Sequence, residues 1–311
     1  MIINRIKLNK KKIMVVGDIM LDTYLFGEVN RVSPESPVPV VEYNYKNECL
    51  GGSGNVIRNL LKLNINSLIV GFIGKDSIGE QINSLLNDKK IQNITIVKKH
   101  LKSIQKMRII GNNQQIARID RDKYCAKEND YKELLEKIKN ELKKVNGVII
   151  SDYGKGICQK SIVSTTISNA RALKVPIFID PKGSDWDKYR YSDYITPNTK
   201  EAEEVLSRKL LHDNDFVSAG KEILERYDIN ACIITRGSEG MTYVSNDIEI
   251  HIPSKAKNVF DVSGAGDTVI SCFSAAICNE NSVRDSLEFA NIAAGNVVGK
   301  FGTAPVCLEE L

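Results

Sequence analysis

Residues 261–268, Asp-Val-Ser-Gly-Ala-Gly-Asp-Thr, combine three things that a phosphate reaction needs. Gly264 and Gly266 let the backbone turn tightly. The amides of Gly264, Ala265, Gly266 and Asp267 then open a helix predicted from the apolar run 269–278. Unpaired amides at a helix start favour anions, phosphate above all. Asp267 puts a carboxylate in the same turn, where a base can deprotonate an incoming hydroxyl. Phosphoryl transfer asks for little beyond positioning, charge stabilisation and such a base. An aspartate capping a helix after a glycine loop fits the same eight residues, so the rest of the chain has to decide.

A second glycine cluster, Gly51-Gly52-Ser53-Gly54-Asn55, precedes another predicted helix. It lacks the third glycine of a dinucleotide fingerprint and does not follow the first strand, and no Walker A spacing occurs in the chain. Gly52 instead lets a ligand approach the backbone, and Asn55 offers both a donor and an acceptor. Asp18 and Asp22 follow Gly17 at a strand end, where open parallel sheets bind ligands. They suit sugar hydroxyls and equally suit a turn cap. Four more polar strand ends follow, three of them glycine-bearing: Ser151-Asp152-Tyr153-Gly154-Lys155-Gly156, Asp180-Pro181-Lys182-Gly183, Pro197-Asn198-Thr199-Lys200-Glu201 and Thr235-Arg236-Gly237-Ser238-Glu239-Gly240. One such loop is ordinary; a succession at one sheet edge is the layout of an active-site rim.

The elements that must position these residues alternate between strand and helix. Strands are predicted at 13–16, 67–73, 147–151 and 175–180. Helices are predicted at 55–63, 131–145, 160–173, 199–206 and 216–227. That alternation implies a mainly parallel sheet with helices on both faces. Residues 38–45 and 106–120 break it: the second reads as a hairpin turning at Gly111-Asn112-Asn113. Together they suggest a small β lid formed from about 22–47 and 95–122, or else an antiparallel extension of the main sheet. The 311 residues are expected to form one domain. A net charge of +4, with Lys and Arg spread along the chain, makes no case for nucleic acid or membrane partners and suits an anionic small substrate. Seven cysteines without a Cys-x-x-Cys pair, and three scattered histidines, argue against a disulfide framework or a zinc site and for a reducing, cytoplasmic location. No run of signal-peptide or membrane-span length is expected.

Many short motifs in the right order resemble the ribokinase/PfkB carbohydrate kinases. Within that family they are most similar to the branch that phosphorylates D-glycero-β-D-manno-heptose 7-phosphate for ADP-heptose and lipopolysaccharide core. The resemblance runs through Val15-Val-Gly-Asp-Ile-Met-Leu-Asp22, Arg31-Val-Ser-Pro-Glu-Ser-Pro-Val-Pro-Val-Val41, Asn113-Gln-Gln-Ile-Ala-Arg-Ile-Asp120, Ser151-Asp-Tyr-Gly-Lys-Gly156, Asp180-Pro-Lys-Gly183, Thr196-Pro-Asn198, Thr235-Arg-Gly237, residues 261–268 and Gly299-Lys-Phe-Gly-Thr303. It implies a ribokinase-like α/β fold, with Asp267 as the base acting on an anomeric hydroxyl and Gly264, Ala265 and Gly266 as the anion hole. It also implies ATP and Mg²⁺ as cofactors, with a monovalent cation left open. Asn198, Thr199, Lys200 and Glu201 would lie at the ATP phosphates and their Mg²⁺, with Thr235, Arg236 and Gly237 on the nucleotide side. Asp18, Asp22, Gly52, Asn55 and Asp152 would hold the sugar, Arg118 and Lys182 would meet phosphate charge, and the lid would pair two subunits into a homodimer. Ser53-Gly54 stands where the heptose branch carries two alanines, and Val269 where the wider family often has phenylalanine. No nucleotidyltransferase domain is expected after residue 311. A kinase for another sugar phosphate, a free sugar or a nucleoside stays open as the alternative. A non-catalytic sugar-binding module would have lost the base or the anion-hole glycines, and both are present.

Overall fold

The apolar runs expected to be strands are buried on both sides, and the computed structural model, which describes residues 5–89, 91–122, 126–256 and 259–311, shows what covers them. In chain order the elements begin with β1 (Lys12–Gly17), β2 (Ile19–Val32), β3 (Pro39–Gly52), α1 (Ser53–Lys62), β4 (Asn66–Gly74), α2 (Ser77–Asp88) and β5 (Gln92–Lys98). There follow β6 (Ile104–Gly111), β7 (Gln114–Arg121), α3 (Glu128–Leu142), β8 (Gly147–Ser151), α4 (Lys160–Ala172), β9 (Ile177–Asp180), β10 (Tyr194–Ile195) and α5 (Thr199–Leu206). The chain closes with α6 (Asp213–Tyr227), β11 (Ala231–Thr235), β12 (Met241–Ser245), β13 (Glu249–Ile252), α7 (Ala265–Cys278) and α8 (Val283–Val297).

The main sheet has nine strands in the order β13-β12-β11-β10-β9-β8-β1-β4-β5. It is parallel from β5 to β11 and antiparallel at the β12–β13 edge. Because side chains alternate across a strand, β1 feeds two cores at once. Met14 and Val16 pack with α3, α4, α5 and α6 on one face, and Ile13 and Val15 with α1, α2, α7 and α8 on the other. Two covered faces are what a parallel sheet requires.

A second sheet of four strands, β3-β2-β6-β7, stands beside the first. Strands β2 and β6 pair in parallel, while β3 and β7 flank them antiparallel. The β6–β7 hairpin turns on Asn112 and Asn113, both at positive φ (50° and 64°). Asparagine tolerates this better than most residues, and the two-residue turn matches the strand twist. The stretches expected to break the βα alternation therefore form a separate small sheet. Its extent differs from the sequence reading: residues 95–98 belong to β5 in the main sheet. Gly17-Asp18 also does not end in a loop. One residue, Asp18, carries the chain from β1 into β2, because Ile19, Met20 and Leu21 are apolar and buried, and Met20 and Leu21 pair with both β3 and β6. Asp22 is accordingly a strand residue. Elements α2, β5, α8 and the β12–β13 edge have no counterpart in the sequence reading.

Cys158, Cys232, Cys272 and Cys278 are buried as free thiols, Cys49 and Cys307 are half-buried, and Cys125 lies outside the described residues. No helix among the described residues is long and apolar enough to cross a membrane.

Gly17 fixes the crossing between the sheets. Its backbone lies against the Ser151 carbonyl on β8 and the Ser53 side chain on α1, and an added Cβ would overlap that carbonyl oxygen. Gly17→Ala is therefore expected to destabilise the protein by about 1–3 kcal/mol or more through overpacking. The urea unfolding midpoint measures this, and an unchanged midpoint would show that β1 and β8 can part without cost.

Candidate active site

The carboxyl ends of the parallel strands share one edge. Gly17, Ser151 and Asp180 lie in a single row of the register, so the residues after β1, β8 and β9 emerge side by side. Helix α7 begins under the same edge. Gly264 precedes it at φ 82°, a left-handed conformation that glycine adopts without strain. The turn is held by main-chain contacts: the Gly264 carbonyl accepts both the amide and the hydroxyl of Thr268 at 3.0 Å, and the Ala265 amide donates to the Val262 carbonyl at 3.3 Å.

Asp267, in that first turn, is buried, and each of its oxygens has one donor. Asn55 Nδ2 donates to Oδ2 at 2.7 Å and the Tyr153 hydroxyl to Oδ1 at 2.7 Å. Burial pushes its pKa up to about 6. The two hydrogen bonds pull the other way, and nearby Asp22 and Lys106 act in opposite senses. Asn55 is itself pinned: Arg58 Nη1 donates to Asn55 Oδ1 (3.2 Å), to the Thr303 carbonyl (2.7 Å) and to the Leu50 carbonyl (3.3 Å). A fixed guanidinium thus orients the amide that orients the carboxylate.

Asp18 has a different task from the one its position suggests. Its carboxylate accepts the main-chain amides of Tyr153 (3.1 Å), Lys155 (3.1 Å) and Ile157 (3.2 Å). It builds the loop that carries Tyr153, and its oxygens are taken up before any sugar arrives. Burial, reinforced by Asp152, still pushes its pKa to about 6. Asp152 is similarly committed, to Lys188 Nζ, the Tyr189 hydroxyl (2.7 Å) and the Gly154 amide (2.7 Å). Asp22, on β2, pairs with Arg108 of β6 at 2.8 Å. Gly52, at φ 58°, lies so close to the Asp18 carbonyl and Met20 that a side chain would collide with them.

The far side of the edge carries the other candidates. Asn198 caps α5 through the Glu201 amide (3.0 Å), and Glu201 returns a hydrogen bond to the Asn198 amide (3.1 Å). Thr199 Oγ1 donates to the Thr235 carbonyl at 3.2 Å, tying this helix start to the end of β11. Lys182 reaches Glu201 at 2.8 Å, and Lys200 is exposed on α5. Asp180, partly exposed at the end of β9, is held well above the usual carboxylate range, first by desolvation and then by the charges of Asp267 and Glu201. Thr235, Gly237, Val262, Ala265, Gly266 and Val298 are among the residues lining a cleft of about 380 Å³ with mostly apolar walls. This cleft ends at the amides that open α7.

The structure thus brings Asp267, Gly264, Ala265, Gly266, Asn55 and Asp22 together, with Thr235 and Gly237 on the adjoining cleft. Two candidates stand apart. Arg118 is exposed on β7 and paired with Asp120 at 3.0 Å. The Arg236 guanidinium stacks on Phe216, 4.2 Å from the ring centroid, and is paired with Asp213 and Glu239. Sequence reasoning missed Tyr153, Arg58, Arg108 and the apolar cleft wall. Only Tyr153 had a signal, an aromatic residue inside a glycine-rich strand end.

Residues 10–311 match the profile of the pfkB family carbohydrate kinases. The chain is 40% identical over 98% of its length to the bifunctional protein HldE of Haemophilus ducreyi, and 37% identical over 97% to that of Aliarcobacter butzleri. It spans 64% of the length of each of these curated relatives. Among solved structures it resembles phosphofructokinase-2 from Escherichia coli in complex with potassium, with a TM-score of 0.81, 17% identity and 97% of each chain covered. It also resembles Arabidopsis thaliana ribokinase complexed with ribose and ATP, with a TM-score of 0.75, 19% identity and 97% of each chain covered. The fold is therefore ribokinase-like, and the chain belongs to the PfkB family of carbohydrate kinases.

Proposed function

We propose that this protein transfers the γ-phosphoryl group of ATP to the anomeric hydroxyl of D-glycero-β-D-manno-heptose 7-phosphate, giving the 1,7-bisphosphate. The observation that carries the phosphoryl-transfer reading is Asp267: a buried carboxylate fixed by Asn55 and Tyr153 in the first turn of a helix that opens on Gly264. Heptose 7-phosphate as acceptor is supported by the motif resemblance and by the 40% identity to the HldE proteins.

In this reading Asp267 takes the proton from the attacking hydroxyl as the oxygen bonds to phosphorus. The amides of Gly264, Ala265 and Gly266 face the negative charge of the phosphoryl group in transit, and because they are already aimed they need no reorganisation as the charge develops. The apolar cleft lined by Val262 and Val298 takes the nucleotide base, and Thr235 and Gly237 lie along the phosphates. No group of three His, Cys, Asp or Glu among the described residues could hold a metal alone. Mg²⁺ is commonly held by one or two carboxylates together with substrate phosphates. Asp180 and Glu201 suit that role, since Asp180 is held up first by desolvation and then by neighbouring negative charge that a cation would offset. The bound ion would supply charge neutralisation at the phosphate oxygens.

Three outcomes are expected. Asp267→Asn should lower kcat by about 10²–10⁴-fold, the usual contribution of a general base. Unchanged turnover would remove Asp267 from the reaction. A plot of kcat/KM against pH should fall off below about pH 6, because Asp267 must be ionised and its pKa stands at about 6. Asp18 titrates in the same range, so Tyr153→Phe provides the assignment. It removes a hydrogen bond that lowers the Asp267 pKa and leaves the Tyr153 amide on Asp18, so the acid limb should move to higher pH. A limb that stays in place would assign it to another group. Finally, ADP release measured across a panel of heptose 7-phosphate, hexose phosphates, free sugars and nucleosides should peak at heptose 7-phosphate. Strong activity on a free sugar with none on the heptose phosphate would replace this acceptor with another.

A further inference from the structure

Helix α1 carries no acidic residue, and its two cations, Arg58 and Lys62, stand four residues apart. They share one face of the helix, where like charges repel. Among the described residues neither makes an ion pair. Together with Lys89, at the end of α2, they line a cavity of about 540 Å³ bordered by Pro305, Cys307 and Glu309 of the C-terminal segment. Glu309 is the one carboxylate in that lining, and its Oε2 accepts from the Cys307 thiol at 3.0 Å.

Lys62 and Lys89 each end a helix, where a cation suits the dipole, and on their own they ask for nothing more. Arg58 differs. Its hydrogen bonds to Leu50, Asn55 and Thr303 all leave from Nη1. Its Nε and Nη2 have no acceptor among the described residues, and neither is sealed from solvent. The edge of the guanidinium that grips an oxyanion side-on is therefore unused, in a side chain that lines the cavity.

The used part of the same group holds Asn55, which holds Asp267. That hold is easily loosened. The bonds to Asn55 and Leu50 are 3.2 and 3.3 Å, at the long end of the usual range, and every acceptor is neutral. Bonds to a phosphate oxygen are roughly twice as strong. Asn55 is buried while Lys62 and Lys89 are exposed, so an anion shared with the two lysines lies on the outer side of the guanidinium and draws it from Asn55. We propose that this cavity is an inhibitory site for a small anion bearing two phosphate groups, which acts on Asp267 by loosening Arg58 from Asn55. Two phosphate groups match three cations set against one acid. The effect on turnover rests on the kinase reading above; the binding does not.

The test uses the full chain with Lys62→Gln and Lys89→Gln, singly and together. Arg58 is left intact because it supports the site. Both lysines are exposed, so the variants should melt with the parent protein. Cys307 reports occupancy, since it lines the cavity. Its alkylation by iodoacetamide, followed by peptide mass spectrometry, should slow about tenfold at ten times the Kd of the anion. Pyrophosphate and fructose 1,6-bisphosphate are compared, with sodium chloride at matched ionic strength. Protection by pyrophosphate alone marks an inorganic ligand, and protection by the bisphosphate a sugar-borne one. Equal protection by chloride, or none by either anion, overturns the proposal. The double variant should need about 10- to 100-fold more anion, and unchanged protection there places the anion elsewhere and overturns it too. With saturating ATP, Mg²⁺ and acceptor sugar, the protecting anion should lower the parent kcat about fivefold, the low end of allosteric couplings, and leave that of the double variant in place. Competition within the active site raises KM instead, and does so in both proteins. A parent kcat unmoved by an anion that protects Cys307 overturns the inhibitory role. A parent protein with no ATP turnover on any sugar removes the kinase reading and the inhibitory role together, while the Cys307 measurement still decides the binding.

Discussion

The site depends on a carboxylate that must be both dry and charged. A general base works best when its pKa lies near the working pH, and water around it weakens every other electrostatic contact. Burying Asp267 meets both needs, at a cost to the ionised form of about 3 kcal/mol for a pKa held at about 6. Asn55 and Tyr153 keep that cost from rising further, one donor to each oxygen. They come from α1 and from the loop after β8, elements that are far apart in sequence. The reactive group is therefore set by the packing of three separate segments rather than by its own loop.

The supports behind those donors explain other buried polar residues. Tyr153 stands where it does because Asp18 gathers three alternate loop amides, those of Tyr153, Lys155 and Ile157. Asn55 stands where it does because Arg58 ties it to the carbonyls of Leu50 and Thr303. Each is a charged group whose partners are main-chain atoms, and such partners cannot swing away as a side chain can. The start of α7 is fixed in the same manner, by the Gly264 turn and the Thr268 amide and hydroxyl donated to its carbonyl.

The parts of this arrangement that are local in sequence were legible. The helix start at 264–267 follows from two glycines, an acid and an apolar run. The parallel sheet follows from alternating patterns, and the Asn112-Asn113 hairpin from its turn residues. Pairings across long separations were not. Asp18 and Asp22 look alike in sequence, each a carboxylate after a strand. Yet one is spent on loop amides 135 to 139 residues away and the other on Arg108. Nothing in the local pattern distinguishes them, because the difference lies in which backbone is packed alongside. Arg118 and Arg236 show the converse. Motif position suggested phosphate for Arg118 and the nucleotide side for Arg236, and the fold gives them Asp120 in one case and Phe216, Asp213 and Glu239 in the other.

The balance of charge at the strand edge bears on what can bind there. Asp18, Asp22, Asp152, Asp180 and Asp267 crowd one region, and the raised pKa values of Asp18 and Asp180 both include repulsion from a neighbouring acid. Left alone, such a site repels the phosphates of a nucleotide and of a sugar phosphate alike. Arg108 and Lys188 offset Asp22 and Asp152, but each is used up in doing so. A site of this kind admits anions only where cations are held in reserve. In the kinase reading proposed above, that reserve on the nucleotide side would be the helix start and a metal ion suited to Asp180 and Glu201. On the second sheet Lys106 lies over the Tyr153 ring and makes no hydrogen bond or ion pair among the described residues. An acidic core can therefore serve two anionic substrates, provided each wall brings its own positive charge.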